Sequence, residues 1–197
     1  MKKLLLNPFE NTSETKLLLF GLALTAAGSY LAYLFNGRYD GVIDLHFTGT
    51  VTLLQPFLDN LINIACLASV LFLTGKLINK KTRFIDILNP VLIARVPFYL
   101  LTLTNFNNFI SDITESLLEK IDLKNMPTDI DIAPSSVLML TLFSLLAIIC
   151  IIWFVILLYN GFKIAANSKT SLHKVYFALS ILAAEIISGI AISLLNY

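Results

Sequence analysis

Long apolar stretches separated by short polar segments form the dominant pattern of this chain. Five of them are near or above the roughly 20 residues that a helix needs to cross about 30 Å of hydrocarbon. They comprise residues 17–35, 57–77, 85–104, 137–159 and 175–195. The pattern therefore predicts an all-α membrane protein, with five transmembrane helices forming one domain over residues 1–197. Pro90 and Pro97 interrupt the third stretch and predict a kink there.

Composition supports the same class of protein. Hydrophobic residues make up 57% of the chain, charged residues make up 14%, and the mean hydropathy is +0.80. About a quarter of an ordinary soluble domain is charged, so this chain has more apolar surface than one soluble core can bury. Nucleic-acid-binding proteins have a concentrated basic face, whereas the net charge of this chain is only +1. We therefore expect no nucleic-acid partner.

Basic residues are unevenly distributed among the segments that join the predicted helices. The N-terminal arm and the connections after the second and fourth helices contain Lys2, Lys3, Lys16, Lys76, Lys80, Lys81, Arg83, Lys163, Lys169 and Lys174. The other connections contain only Arg38, Lys120 and Lys124. Because cytoplasmic loops are rich in Lys and Arg, this asymmetry predicts a cytoplasmic N-terminus and, after five spans, a C-terminus outside.

The first connection predicted to lie outside, residues 36–52, alternates apolar and polar residues between positions 43 and 47. This period of two predicts a short extended or hairpin segment on the outer surface. Asp40, Asp44 and His46 are residue types that bind metal ions. Beside glycines, however, they are more typical of a solvated turn, and we predict neither a metal nor another cofactor.

The second outer connection, residues 105–136, has the pattern of an amphipathic helix at about 107–123. Its apolar face comprises Ile110, Ile113, Leu117 and Ile121, and its acidic face comprises Asp112, Glu115 and Glu119. An acidic face disfavours binding to anionic lipid, so we expect the apolar face to pack on the outer ends of the spans or to lie at the interface.

The chain contains no catalytic motif that we recognise. It has no Gly-rich phosphate loop, no His-Glu-x-x-His helix, no Gly-x-Ser-x-Gly elbow and no pair of metal-spaced cysteines. Cys66 and Cys150 lie inside apolar stretches, where they are expected to act as small buried hydrophobes. We therefore expect a protein that is not an enzyme, with an enzyme acting on lipids as a minor alternative.

Polar residues inside the predicted spans are the best candidates for a functional site, because each needs a partner in lipid. Gln55, Asp59 and Asn63 recur at every fourth residue, so they share one face of the second helix, with Asn60 beside them. Hydrogen bonding between helices explains this face most simply. A water-filled vestibule for a headgroup or a solute is the alternative.

Two charged residues are predicted near the middle of the membrane. Arg95 and Glu185 each lie ten residues beyond the inner start of their stretch, which corresponds to a depth of about 15 Å. An unpaired charge there costs at least about 2.5–3.5 kcal/mol, so we predict that Arg95 and Glu185 form an ion pair. A charge that lines a functional cavity is the alternative, and Asp59 is a weaker partner because it lies near the outer surface.

Small residues recur at every fourth position in two of the predicted helices. These stripes are Gly21, Thr25 and Ser29 in the first helix and Ser180, Ala184 and Ser188 in the fifth. Such faces allow close contact between helix backbones, usually inside a bundle. An interface between two copies of the chain is the alternative.

Three segments together resemble the Yip family (Ypt/Rab-interacting protein domain). The arm Asn7-Pro8-Phe9-Glu10-Asn11-Thr12 is similar to the family's opening, in which a Pro, an aromatic residue and a Thr precede the first span. Ile93-Ala94-Arg95-Val96-Pro97 is similar to a third-span segment that ends in proline. Trp153-x-x-x-Leu157-x-x-x-Gly161-x-Lys163, followed by Ser168 and Lys174, is similar to the fourth span and its basic turn.

This resemblance implies a five-span protein with a cytosolic N-terminus and a role in membrane organisation. Eukaryotic members bind prenylated Rab GTPases and act between the endoplasmic reticulum and the Golgi. Here only 16 residues precede the first predicted span, and Ile, Leu, Asn and Lys are abundant, so the chain looks more like the bacterial branch.

The leading hypothesis is therefore a scaffold or partner-binding protein of the bacterial inner (plasma) membrane. It would contact membrane lipids, together with a protein partner or a second copy of itself. The alternative location for this chain is the membrane of the endoplasmic reticulum or Golgi, where the eukaryotic members act. A small transporter, channel or lipid scramblase that uses the polar residues of the spans is the alternative function.

Overall fold

Helices make up most of the structure, a computed structural model that describes residues 5–120 and 133–195. They are α1 (Glu14–Leu34), α2 (Leu54–Ile78), α3 (Phe84–Ala94), α4 (Val96–Leu101), α5 (Phe109–Lys120), α6 (Pro134–Ala165) and α7 (Ser171–Ser193). A short 3-10 helix covers Pro8–Glu10, and Thr102–Asn108 forms 3-10 turns interrupted by non-helical backbone at residues 105–107. Five helical segments, with α3 and α4 forming the third span, are long and apolar enough to cross a membrane, which confirms the predicted all-α class.

The third span lies at the centre of the bundle. Two thirds of the residues in its apolar window are buried, compared with a third or fewer in the other spans. Helices α1, α2 and α6 pack against α3, whereas α7 packs mainly along α2. A residue of the third span can therefore be surrounded by protein on all sides, and this makes the span the least costly place for a charge.

The third span is broken at Arg95, where α3 ends and α4 begins. Pro97 is the second residue of α4 and has no N–H with which to continue the hydrogen-bond ladder of α3. Pro90 lies within α3, where it removes a second helical hydrogen bond. The predicted interruption of the third stretch is thus observed as a break immediately before Pro97.

The predicted amphipathic helix is present as α5. Ile110 is buried, Ile113 and Leu117 are half-buried, and Asp112 and Glu115 are exposed. Asn105, in the segment before this helix, stabilises the start of α5, because its Oδ1 accepts hydrogen bonds from the backbone N–H groups of residues 110 and 111, at 2.9 and 3.0 Å. The predicted positions of Ile121 and of the Glu119 side chain lie outside the described residues.

The connection between α1 and α2 forms the expected hairpin, but its placement differs from the prediction. Strands β1 (Gly37–Arg38) and β2 (His46–Phe47) pair antiparallel. We call residues 37–47 the hairpin, and the end of the bundle where they lie the hairpin end. Tyr39 and Val42 are completely buried, so the hairpin inserts between the helices instead of resting on the surface. Two of the apolar side chains expected to alternate, Ile43 and Leu45, are half-buried against the core, while Asp44 and His46 are exposed.

The N-terminal arm, which we define as residues 5–13, lies against α6 at the opposite end of the bundle, the arm end. Trp153 Nε1 donates a hydrogen bond to the carbonyl of Leu5 at 2.9 Å, and Asn160 Nδ2 donates one to the carbonyl of Leu6 at 2.8 Å. A Cβ atom at Gly161 would lie 3.2 Å from the ring of Phe9, so the glycine permits this close approach. The arm is therefore packed onto the bundle.

The stripe of small residues in the last span faces α2. Ser180, Ala184 and Ser188 are buried, and the hydroxyls of Ser180 and Thr74 lie 2.6 Å apart. This stripe therefore serves contact between helices of the same bundle, as its spacing predicts.

The predicted orientation can be tested with single cysteines at exposed positions. In a background with Cys66→Ala and Cys150→Ala, cysteines that replace Lys80 and Lys169 should be protected from an impermeant thiol reagent in intact cells. Cysteines that replace Asp44 and Thr50, at the hairpin end, should be labelled, because the loops rich in Lys and Arg stay in the cytoplasm. Labelling of the Lys80 position before permeabilisation would reverse the orientation.

Candidate functional site: a buried polar network around the hairpin

A buried ion pair anchors the start of the hairpin to α2. Arg38 donates two hydrogen bonds to the carboxylate of Asp59, at 2.6 and 3.0 Å, and Asp59 is completely buried. The backbone N–H of Tyr39 lies 3.4 Å from the same carboxylate. The planar guanidinium matches a carboxylate in this two-pronged arrangement, so the geometry fixes the hairpin as well as neutralising Asp59.

Arg95 is completely buried at the break of the third span, where its guanidinium is divided among several partners. Its Nε donates to Asn60 Oδ1 at 2.9 Å, and its Nη1 donates to the carbonyl of Val42 at 3.1 Å. The Tyr39 ring lies 5.4 Å from the guanidinium carbon, which is within the range of a cation–π contact. Its Nη2 is buried without a hydrogen-bond partner among the residues that the structure describes.

The predicted ion pair between Arg95 and Glu185 is wrong. In the described part of the chain, Glu185 accepts a hydrogen bond from the backbone N–H of Ile43 at 2.8 Å instead. Helix α7 packs along α2 rather than along the third span, and the hairpin fills the space between the two charges. The carbonyl that Arg95 binds and the N–H that Glu185 binds belong to one peptide group, the one joining Val42 and Ile43.

Close packing around the Glu185 carboxylate explains one glycine of the hairpin. A Cβ atom at Gly41 would lie 2.3 Å from Glu185 Oε1, far inside contact distance. Any larger residue would force Glu185 away from the N–H of Ile43. Gly41 therefore allows the carboxylate to reach the hairpin backbone.

The other predicted polar residues of α2 have different roles. Asn63 Nδ2 donates to the carbonyl of Tyr39 at 2.7 Å, while its Oδ1 is buried and has no hydrogen-bond partner in the described residues. Gln55 is half-buried and accepts from the backbone N–H of Thr52 at 2.8 Å, which ties the first turn of α2 to the residues just before it. The structure thus gathers Asp59, Asn63, Arg95 and Glu185 around the hairpin and leaves Gln55 outside the network.

A polar cleft of about 420 Å³ opens beside the network at the hairpin end. Arg38, Asp40, His46 and Gln55 line one side, and the last turns of α7 line the other. His46 Nδ1 and Asp40 Oδ2 lie 3.0 Å apart. Across the described residues there is no group of three His, Cys, Asp or Glu side chains placed to hold a metal ion. Asp40 and His46 instead form a pair with each other.

This pair changes the acidity of both partners. The hydrogen bond with Asp40 raises the pKa of His46 above its ordinary 6.5, although partial burial opposes the change. Asp44 raises the same pKa further and Arg38 lowers it. The hydrogen bond from His46 in turn lowers the pKa of Asp40 below its ordinary 3.8.

Sequence reasoning missed the contribution of the hairpin itself. Arg38 was counted only as a loop charge, and Tyr39 received no role, yet both contact the buried carboxylate of Asp59. Ser29, which accepts from Asn60 Nδ2 at 2.8 Å, was assigned only to a packing stripe. The available signal was charge complementarity between Arg38 and Asp59, which both lie near the predicted outer surface.

No family model, curated protein or solved structure matches this chain. The resemblance to the Yip family therefore stays a prediction.

The buried pair of Arg38 and Asp59 can be tested by a double-mutant cycle. Arg38→Gln and Asp59→Asn should each lower the free energy of unfolding in detergent by about 3–5 kcal/mol, because each strands a buried charge. The double variant should lose less than the sum of the two. Glu14→Gln, in an exposed pair with Arg83, is the matched control and should change stability little. Additive losses from Arg38→Gln and Asp59→Asn would exclude the coupling.

A second prediction concerns pH. Since the pKa of His46 is raised in the fold, its contribution to stability is complete below about 6.5 and is lost as pH rises through the raised pKa. Asp40, whose pKa is lowered, contributes above about 3.8 and loses this contribution as pH falls through the lowered pKa.

Melting temperature measured against pH in detergent tests this expectation. Above neutrality, the wild-type protein should lose more of its melting temperature than a His46→Asn variant does. The effect should be modest, because the His46 side chain is 45% exposed. A His173→Asn variant, changed at the arm end, should behave like the wild type. Identical profiles for His46→Asn and the wild type would count against the pair.

Proposed function

We propose that the protein is a non-enzymatic scaffold of the Yip type that binds a partner protein in a bacterial plasma membrane. One observation supports this most strongly: the polar residues of the spans bind the chain's own hairpin. Asp59, Asn63, Arg95 and Glu185 each bond to hairpin atoms. Their polar groups thus stabilise a fixed architecture, which suits a protein that works by presenting a surface.

Two of the segments that carry the family resemblance, the arm and the α6 segment, contact each other. Phe9 of the arm approaches Gly161 of α6, and a Cβ atom at Gly161 would lie 2.3 Å from Pro90 of the third span. Trp153, which opens the α6 segment, binds the arm at Leu5. Residues that pack together in this way constrain one another's size, which supports treating the arm and the α6 segment as parts of one signature.

Helix α6 offers the surface best suited to a membrane partner. Its 32 residues correspond to about 48 Å, against the roughly 30 Å of a hydrocarbon core. Residues 134–149 contain no buried position, and large side chains such as Leu138, Leu142 and Leu145 are more than half exposed. Thr141 and Ser144 direct their hydroxyls to carbonyls of their own helix, at 2.7 and 2.8 Å, so this surface is apolar.

Transport through the bundle is the second candidate function. Two buried polar atoms favour it, Arg95 Nη2 and Asn63 Oδ1, which have no hydrogen-bond partner in the described part of the chain. Such atoms are costly unless water or a ligand reaches them. Movement of the hairpin would be required to open a path to them, because the hairpin contacts both residues.

Site-specific photocrosslinking in native membranes tests the scaffold function. A photoreactive residue at Leu142 or Leu145 should yield a discrete crosslinked protein, because a partner covers this part of α6. The same residue at Leu182, equally exposed on α7 at 55%, is the matched control and should yield only lipid adducts. The same pattern at all three positions would argue against the partner surface.

Vesicles containing the purified protein separate the second candidate function from the first. The scaffold predicts no movement of fluorescent lipid or solute above that of empty vesicles. Movement that is reduced by Asn63→Ala would favour transport instead.

A further inference from the structure

An apolar groove of about 870 Å³ runs along the side of the bundle between α1 and α6. Both helices pack on the third span, which forms the floor through Ile93 and Val96. Leu17 and Leu24 contribute to one wall, and Leu157 contributes to the other. The groove faces the region that lipid occupies around a membrane bundle, so its natural contents come from the bilayer.

Polar residues line this groove at the arm end alone. Thr12 and Lys16 are located there, while the lining further along α1 and the third span is apolar. Lys16 is exposed and forms no ion pair with the residues that the structure describes. The neighbouring cation, Arg83, is by contrast paired with both Glu14 and Asp86. Lys16 thus has its charge available for an anion from outside the chain.

The length of the groove matches one leaflet of a bilayer. From Lys16 to Leu24 the axis of α1 advances about 12 Å, close to half of a hydrocarbon core of roughly 30 Å. A lipid has this same distribution of polarity, with a charged headgroup at the surface and an apolar chain reaching towards the midplane. A transmembrane helix, about 10–12 Å in diameter with its side chains, would require a wider and longer surface.

We propose that this groove binds an acyl chain of an anionic phospholipid from the leaflet at the arm end, with the phosphate beside Lys16. An acyl chain is as apolar in the groove as in bulk lipid, so burial alone gives little preference. Selectivity comes from the charge of Lys16 and from the fit of the chain against the walls. This inference goes beyond the scaffold function and does not depend on it.

The N-terminal arm closes part of this site. Leu5 and Pro8 line the groove, and the hydrogen bonds from Trp153 and Asn160 hold the backbone of residues 5 and 6 in place. These bonds also give partners to two backbone carbonyls, which is favourable next to lipid. The arm is therefore a fixed edge of the groove that limits sideways escape of the chain.

Photolabelling with defined lipids tests the site. The full-length protein is placed in phosphatidylcholine vesicles with a small fraction of phosphatidylglycerol that carries a photoreactive group in its acyl chain. Labelled peptides should come mainly from residues 17–24 of α1 and 153–157 of α6. A phosphatidylcholine probe with the same chain should label them about fivefold less, the factor expected for one Lys near the membrane surface.

Three variants complete the experiment. Lys16→Gln, an exposed change that should leave the fold intact, should abolish the preference for phosphatidylglycerol. Ala23→Trp, which adds bulk on the groove wall, should reduce labelling by both probes. Leu182→Trp, on the lipid-exposed face of α7, is the matched control and should change neither result.

Equal labelling of every lipid-exposed helix by both probes, unaffected by Lys16→Gln or Ala23→Trp, would overturn the proposal and indicate surrounding bulk lipid only. Loss of the α6 crosslinks to protein would leave this result untouched, since the two experiments probe different positions along α6 and different molecules.

Discussion

The peptide group between Val42 and Ile43 joins two charged residues of different spans, Arg95 and Glu185. Its carbonyl accepts from Arg95 and its N–H donates to Glu185, so the peptide dipole has its negative end at the cation and its positive end at the anion. Backbone outside a helix has no water to bind in a membrane and must be satisfied by protein. The same contact therefore compensates both charges and the non-helical chain. The need for Gly41 follows from it.

Features that depend on local pattern were predictable from the sequence. Each span must be long and apolar enough to cross the lipid, whatever the other spans do. Hydropathy along the sequence therefore identified all five helical segments. Asp59 and Asn63 are four residues apart, which places them on one helix face, and both bind the hairpin. The amphipathic pattern identified α5 for the same reason, since the burial of Ile110 follows from its place in a period of 3.6.

Features that depend on the lateral order of the helices were not predictable. Counting residues along two spans gave Arg95 and Glu185 similar depths, but depth does not determine which helices are neighbours. Helix α7 lies against α2, and the hairpin separates the two charges. The alternating pattern of residues 43–47 was also ambiguous, because it does not distinguish a segment on the surface from one inside the bundle. Burial of Tyr39 and Val42 resolves this.

Placement of the hairpin has a consequence for biogenesis. The hairpin follows α1, but its partner Glu185 lies 142 residues further along the chain, in α7. Membrane insertion can begin with individual helices, whereas the hairpin gains its full set of contacts only after α7 has joined α2. Maturation of this protein thus includes a docking step between the hairpin and a helix that is synthesised much later. Until that step, the Val42–Ile43 peptide lacks one of its two charged partners.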